Sequence, residues 1–326
     1  MKIRKLAAIV LASLLAITVL SSVSFAEEPA EEGAITVTDM TGREVTLDGP
    51  AERVVALSAA DCEILYALGA GDLLVGRGEY CDYPEEVLEI PSVESGAETN
   101  IEEIIALQPH VLLMSSMAQT TEQVEALENA GIHVIVSDAQ DIEGVYESLS
   151  IIGKVTGKEK EAEEITENMK ACFAELQEQA EQEKDQEGKT VYFEVSPLEY
   201  GLWAAGKGTF MNEIADMIGL ENIFADVDGW GEVSEEQVIE RNPDYIVTIT
   251  MYFGEGPTPE EEIMSRQGWD KITAVQNGAI LNLQNNELSR PVPRLTEGAQ
   301  ELFDFVYGTD EGTEDAAEAT ETEAAK

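Results

Sequence analysis

Residues 142–182 read IEGVYESLSIIGKVTGKEKEAEEITENMKACFAELQEQAEQ, and nothing in them alternates as a strand does. Apolar residues recur at helical spacing instead: Val145, Leu149, Ile152 and Val155, then Ala162, Ile165, Met169, Phe173 and Leu176. Steps of three and four keep those side chains on one helix face. Gly157 divides the stretch into two helices. The second is polar around most of its circumference and runs into the charged residues Glu181 to Glu187. It therefore meets its neighbours along a narrow stripe, as a rod between two bodies does. Residues 142–187 are read as connecting helices.

The segments on either side have a different rhythm. Before the rod, short apolar strands at 54–57, 73–76, 111–114 and 134–136 alternate with helical periods at 61–68, 101–107 and 122–130. After it, strands at 191–195, 202–205, 245–249 and 279–283 accompany helices at 210–218, 236–241, 259–265 and 295–306. Continuous apolar strands separated by amphipathic helices indicate parallel sheets covered on both faces. The expected fold is α/β: two Rossmann-like lobes with mainly parallel sheets, 53–141 and 188–308, joined by one long rigid α-helix, with a ligand cleft between the lobes. A hairpin at 35–38 and 44–47, turning at Thr41-Gly42, decorates the leader 27–52. The tail 309–326 is mostly Glu, Thr and Ala and is expected to be disordered, because it has no large apolar residue to offset its ordering entropy.

The chain starts with Lys2, Arg4 and Lys5, continues with an apolar run from Leu6 to Leu20, and has small residues at Ser24 and Ala26. That is the layout of a cleavable secretory signal, 1–26. The run falls short of the roughly 20 residues that span a bilayer. No cysteine precedes Cys62, so the expectation is a secreted, extracytoplasmic protein that is not a lipoprotein. The formal net charge of −47 repels phosphate backbones and excludes nucleic acid as a partner. Cys62, Cys81 and Cys172, with His110 and His133, lack the spacing of a zinc site. Cys172 is expected to be a buried small side chain. Cys62 and Cys81 each follow a strand of one sheet and are left either as a disulfide or as two free thiols.

Catalytic motifs are missing. Gly69, Gly71 and Gly76 fail the dinucleotide spacing. Gly201 and Gly206-Lys207 approach a phosphate loop, but Gly208 stands where a hydroxyl is required. There is no Gly-x-Ser-x-Gly elbow. The expectation is that the protein is not an enzyme and has no catalytic residues, no metal of its own and no cofactor. The rival class is a secreted α/β enzyme with an unrecognised site.

A series of segments occurs in one order: Arg53-Val54-Val55-Ala56-Leu57-Ser58 with Glu63-Ile64-Leu65-Tyr66-Ala67-Leu68-Gly69-Ala70-Gly71; Tyr80-Cys81-Asp82-Tyr83-Pro84; Asn100-Ile101-Glu102 leading to Gln108-Pro109-His110; Gly206-Lys207-Gly208-Thr209-Phe210; Val233-Ser234-Glu235-Glu236-Gln237 leading to Asn242-Pro243-Asp244; and Leu288-Ser289-Arg290-Pro291-Val292-Pro293-Arg294. Together they resemble the ABC-transporter solute-binding proteins for cobalamin, iron-siderophores and haem, from about Asp39 to Gly308. The resemblance implies a monomer that hands its ligand to an ABC permease dimer with its ATPase subunits. It also implies that one glutamate per lobe docks into permease arginine sockets; the matching positions are Glu102 and Glu236, with Glu235 the alternative in the second lobe.

Ligands of open α/β sheets sit beyond the carboxyl ends of the strands. That rule selects Ser58 to Cys62, Arg77, Tyr80, Met114 and Met117 in the first lobe, and Tyr200 to Trp203, Met251 to Phe253 and Arg290 in the second. Arg77 and Arg290 suit an anionic ligand group, or for Arg290 a structural salt bridge. Tyr80, Trp203 and Tyr252 offer flat faces to a macrocycle or aromatic chelator. Neither histidine is placed where the family's haem members carry an axial ligand. The expected ligand is a metal chelate: an iron-siderophore first, a corrinoid second, with haem as the alternative.

Overall fold

Val54, Val55 and Ala56 have no exposed surface, which is what the middle strand of a two-faced parallel sheet requires. They form β3 (Val54–Ala56), flanked by β4 (Leu74–Gly78) and β6 (Val111–Met114), with β5 (Ser92–Val93) and β7 (His133–Val136) at the edges. All four pairings are parallel. The structure is a computed structural model and describes residues 33–96, 99–115, 120–183, 188–283 and 287–308. Residues 1–26 and 309–326, on which the signal and tail expectations fall, lie outside the described residues.

Alternate residues of each strand feed opposite faces. Val55, Leu112, Met114 and Val134 pack with Ile104 of α2 (Ile101–Leu107) and Leu127 of α3 (Thr121–Asn129). Val54, Ala56, Leu113 and Ile135 pack with α1 (Ala59–Ala67) and α4 (Ile142–Thr156). The hairpin β1 (Ile35–Thr38) and β2 (Glu44–Leu47) is antiparallel, as expected. It hooks onto the end of β7: the Met40 N–H donates to the Val136 carbonyl, and the Val136 N–H to the Asp39 carboxylate.

The second sheet runs β11 (Trp230–Glu232), β9 (Trp203–Ala205), β8 (Thr190–Ser196), β12 (Tyr245–Thr248), β13 (Ile280–Asn282), with β10 (Glu221–Asn222) also on β8. Its pairings β8–β12, β12–β13 and β8–β10 are parallel, whereas β9 pairs antiparallel with β8 and β11. The helices α6 (Phe210–Met217), α7 (Glu235–Arg241), α8 (Pro259–Ser265), α9 (Thr273–Asn277) and α10 (Leu295–Tyr307) complete it. Among the described residues no strand pairs across the two sheets.

Between the sheets stand α4 and α5 (Glu159–Gln182). Asp141 caps α4 by accepting from the Gly144 N–H, and Gly157 ends it in the left-handed conformation. That region favours a residue without Cβ. Ala162, Met169, Phe173, Leu176 and Ala180 are the buried stripe of α5, and one apolar cluster joins them to Val54 and Leu113 of the first sheet and to Val191, Phe193 and Val247 of the second. Cys172 corrects an expectation. It is exposed, because one position before Phe173 is about 100° around the helix from the stripe.

Replacing Phe173 with Ala should lower unfolding stability by about 3–5 kcal/mol. Replacing its neighbour Cys172 with Ala should change stability by less than about 0.5 kcal/mol. Urea denaturation of both variants checks the pair; equal effects would mean that the stripe does not bind the sheets together.

Candidate ligand cleft

Three serines follow three strands of the first sheet: Ser58 after β3, Ser115 after β6 and Ser137 after β7. They face Val195 of β8, Ile249 after β12, and Trp230 across a cavity of about 360 Å³. The cavity thus lies where the strand ends of both sheets converge. A second cavity of about 640 Å³, lined by Tyr200, Met251, Tyr252 and Phe253, shares Val195 and Ile249 with the first. Seryl, amide and apolar side chains dominate the first cavity, Asp138 is its one charged lining residue, and neither lining includes a lysine or arginine.

The site residues expected from sequence distribute unevenly. Tyr252 lines the second cavity, with its hydroxyl donating to the Gly256 carbonyl at 3.2 Å. Tyr80 is 73 % exposed. Trp203 is partly exposed on β9 and lines neither cavity. Met114 is a correction: it is buried in the cluster beneath α2 and α3, because the alternation of β6 turns it to that face. Met117 lies outside the described residues. Arg77 donates to the carbonyls of Gly78 and Glu79, and its buried Nε has no hydrogen-bond partner.

Arg290 is drawn into an ion cluster between the two halves. Glu63 of α1, 4 % exposed, accepts from Arg290 Nη1 at 2.7 Å and from Arg294 Nε and Nη2 at 3.0 Å. Arg290 Nη2 also reaches Asp82 at 2.7 Å, and Arg294 lies 3.7 Å above the Tyr83 ring. Burial disfavours the Arg290 charge, but its bonds to Glu63 and Asp82 outweigh that and raise its pKa. Both arginines come from the segment before α10, and the acids from the first half, so the cluster spans the junction. The salt-bridge alternative for Arg290 is thus the arrangement found. Sequence reasoning missed Glu63, whose place in a helix of apolar residues was its only signal.

Beneath the cavity wall lies Asp61, which has no exposed surface. Ser58 Oγ donates to Asp61 Oδ2 at 2.6 Å and accepts from the Asp61 N–H, while Asp61 Oδ1 has no hydrogen-bond partner. Burial pushes this carboxyl up to about 6, against the hydrogen bond from Ser58 and with the help of the Asp138 charge. Next to it, Cys62 and Cys81 are free thiols that both donate to the Ala56 carbonyl, at 3.7 and 3.9 Å. The Cys81 thiol and burial together raise the Cys62 pKa.

Glu102 and Glu236 are exposed in the first turns of α2 and α7. These two helices match in detail. Each has seven residues, an N-cap side chain that accepts from the third helical N–H, a left-handed C-cap (Gln108, Asn242) and a following proline. Each leads into the strand beside its sheet's central one, β6 beside β3 and β12 beside β8. Glu235 is held differently, its Oε2 accepting from Trp269 Nε1 at 2.9 Å.

Residues 54–287 match the family described as periplasmic binding protein. The chain belongs to that family. Among relatives of this periplasmic binding protein is an uncharacterized ABC transporter substrate-binding lipoprotein of Bacillus subtilis, 34 % identical over 287 residues, covering 87 % of this chain and 89 % of its own. A cobalamin-binding protein of Halobacterium salinarum is 27 % identical over 281 residues, covering 84 % and 74 %. The crystal structure of a possible iron-binding (periplasmic solute-binding) protein from Staphylococcus epidermidis superposes with a TM-score of 0.66 at 32 % identity, over 79 % of this chain and 99 % of that one. The two-lobed α/β expectation and the resemblance to solute-binding proteins agree with these findings. Among the described residues no group of three or more His, Cys, Asp or Glu side chains is placed to hold a metal ion, and no helix is long and apolar enough to cross a membrane.

Two substitutions probe this periplasmic binding protein's junction. Glu63→Gln leaves two largely buried guanidinium groups without their shared anion and should cost about 3 kcal/mol of stability, read by denaturant unfolding. Asp61→Asn should act with the opposite sign. A carboxyl whose pKa is higher folded than unfolded destabilises the fold when it is charged, so the wild type gains stability as pH falls from about 6 towards 4. The variant should therefore be more stable than wild type at pH 7.5, with an advantage that shrinks by pH 4; a pH-independent difference would contradict a charged, buried Asp61.

Proposed function

We propose that this chain is the extracytoplasmic binding component of an ABC importer and that it captures a corrinoid. The observation that carries this reading is the cleft. A cavity without lysine or arginine at the meeting strand ends opens beside a larger one whose walls include Tyr200, Met251, Tyr252 and Phe253. A corrin ring presents a wide apolar face fringed with primary amides. Aromatic and thioether side chains cover such a face, and hydroxyls and amides bind its fringe. The Halobacterium relative's name points the same way. A ferric hydroxamate siderophore is the second reading; the arginine-free lining accepts its uncharged iron centre, and the Staphylococcus neighbour is described as possibly iron-binding.

Binding without turnover is the expected activity. Delivery uses Glu102 and Glu236, exposed at corresponding places on the two halves and fitted to arginine sockets on two permease subunits. Glu235 is less suited, being engaged by Trp269. The amino-terminal signal directs the chain out of the cytoplasm. The Bacillus relative is named a lipoprotein, whereas this sequence has no cysteine ahead of Cys62.

Protein purified from its source should carry, or take up on mixing, a corrinoid visible in its absorbance spectrum and mass. A ferric chelate in its place would select the second reading. Reversing both charges, Glu102→Arg with Glu236→Arg, should abolish corrinoid uptake by reconstituted transporter vesicles and leave equilibrium binding unchanged. Normal uptake by the double variant would remove the docking assignment.

A further inference from the structure

Most polar side chains on the first-half wall of the 360 Å³ cavity, the Ser115 hydroxyl excepted, have already committed hydrogens. Ser58 gives its hydroxyl hydrogen to Asp61, Ser137 gives its own to Ser148 at 3.1 Å, and Ser148 gives its own to the Met40 sulfur at 3.3 Å. The Gln140 amide donates to Asp138, and Trp230 Nε1 donates to Gln140 Oε1 at 2.7 Å. What these groups have left for a guest is lone pairs. Behind them sits the fully buried Asp61 carboxylate, with Oδ1 unsatisfied, and in front of them Asp138. No lysine or arginine lines the cavity to offset a negative guest.

We infer that the part of the ligand entering this cavity carries hydrogen-bond donors and no negative charge: a primary carboxamide or an ammonium group, rather than a carboxylate, phosphate or catecholate. This inference rests on the chelate-binding reading above and sharpens it. A carboxylate in place of an amide would set acceptor against acceptor in a desolvated pocket, where an unsatisfied polar group is costly and a charged one more so. Asp61 is a positioning residue here. By holding the Ser58 hydrogen, it fixes that hydroxyl as an acceptor.

The test uses matched pairs of probes that differ at one group. One arm compares cyanocobalamin with each of its monocarboxylic acids, made by hydrolysing a single propionamide. The other compares ferrioxamine B, which ends in an ammonium, with its N-succinyl derivative, which ends in a carboxylate. Titration calorimetry on the full chain should show the parent binding and, in the arm that matches the natural ligand, at least one acid binding about tenfold or more weakly, equivalent to about 1.4 kcal/mol. Asp138→Asn and Asp61→Asn, each checked for native circular dichroism, should narrow that gap. Ser58→Ala should weaken the parent. Acids that bind within about twofold of their parents, or a gap that both aspartate variants leave unchanged, would overturn this inference and leave chelate capture standing. Failure of both parents to bind would overturn the chelate reading, and this inference with it.

Discussion

Everything in this molecule depends on the burial of one helical stripe. Met169, Phe173 and Leu176 line a helix whose remaining circumference is charged, and the stripe leaves water only by contact with apolar surface from both halves. Each sheet on its own has a face that lacks a cover; α4, α5 and α10 provide it for both. The cleft follows from this arrangement. With the sheets held on a common apolar seam, their strand ends meet on one side, and the loops there have room to be polar.

Charge is handled in a complementary way. The chain has 66 acidic residues against 19 lysines and arginines, yet several arginines face inward. Arg266 is held by Glu194 and Glu262 beneath the second sheet, and Arg290 and Arg294 close on Glu63 where the halves touch. A buried cluster of this kind adds little net stability over apolar packing, but it tolerates few alternative geometries. At the junction it therefore acts as a register mark that fixes how the α1 end of one half meets the α10 end of the other.

The sequence carried most of the architecture and less of the site. Long periodic segments such as 142–182 and the buried strands declared themselves, because a stripe or a run of β-branched residues has one physical use. The two- and three-residue strands β5, β10 and β11 had no period to display, and Gly231 in β11 argued against a strand. For the cleft, the strand-end rule pointed to Ser58 and the 251–253 turn, which line the two cavities, and to Met114, whose direction is set by pleat parity. It passed over the Ser137–Gln140 turn. Arginines were expected to serve an anionic ligand because their side chains suit one; only the fold reveals that Arg290 already has Glu63 and Asp82 as partners, 227 and 208 positions away in sequence.

Turning arginines inward also changes what surrounds the protein. With those cations enclosed, the outer surface is strongly anionic, and such a surface collects a cloud of small mobile cations. Any macromolecule that lands on it with positive side chains displaces part of that cloud into the medium. The displaced ions gain entropy, most of all in dilute salt, so the recognition step is partly driven by solution ions that belong to neither partner.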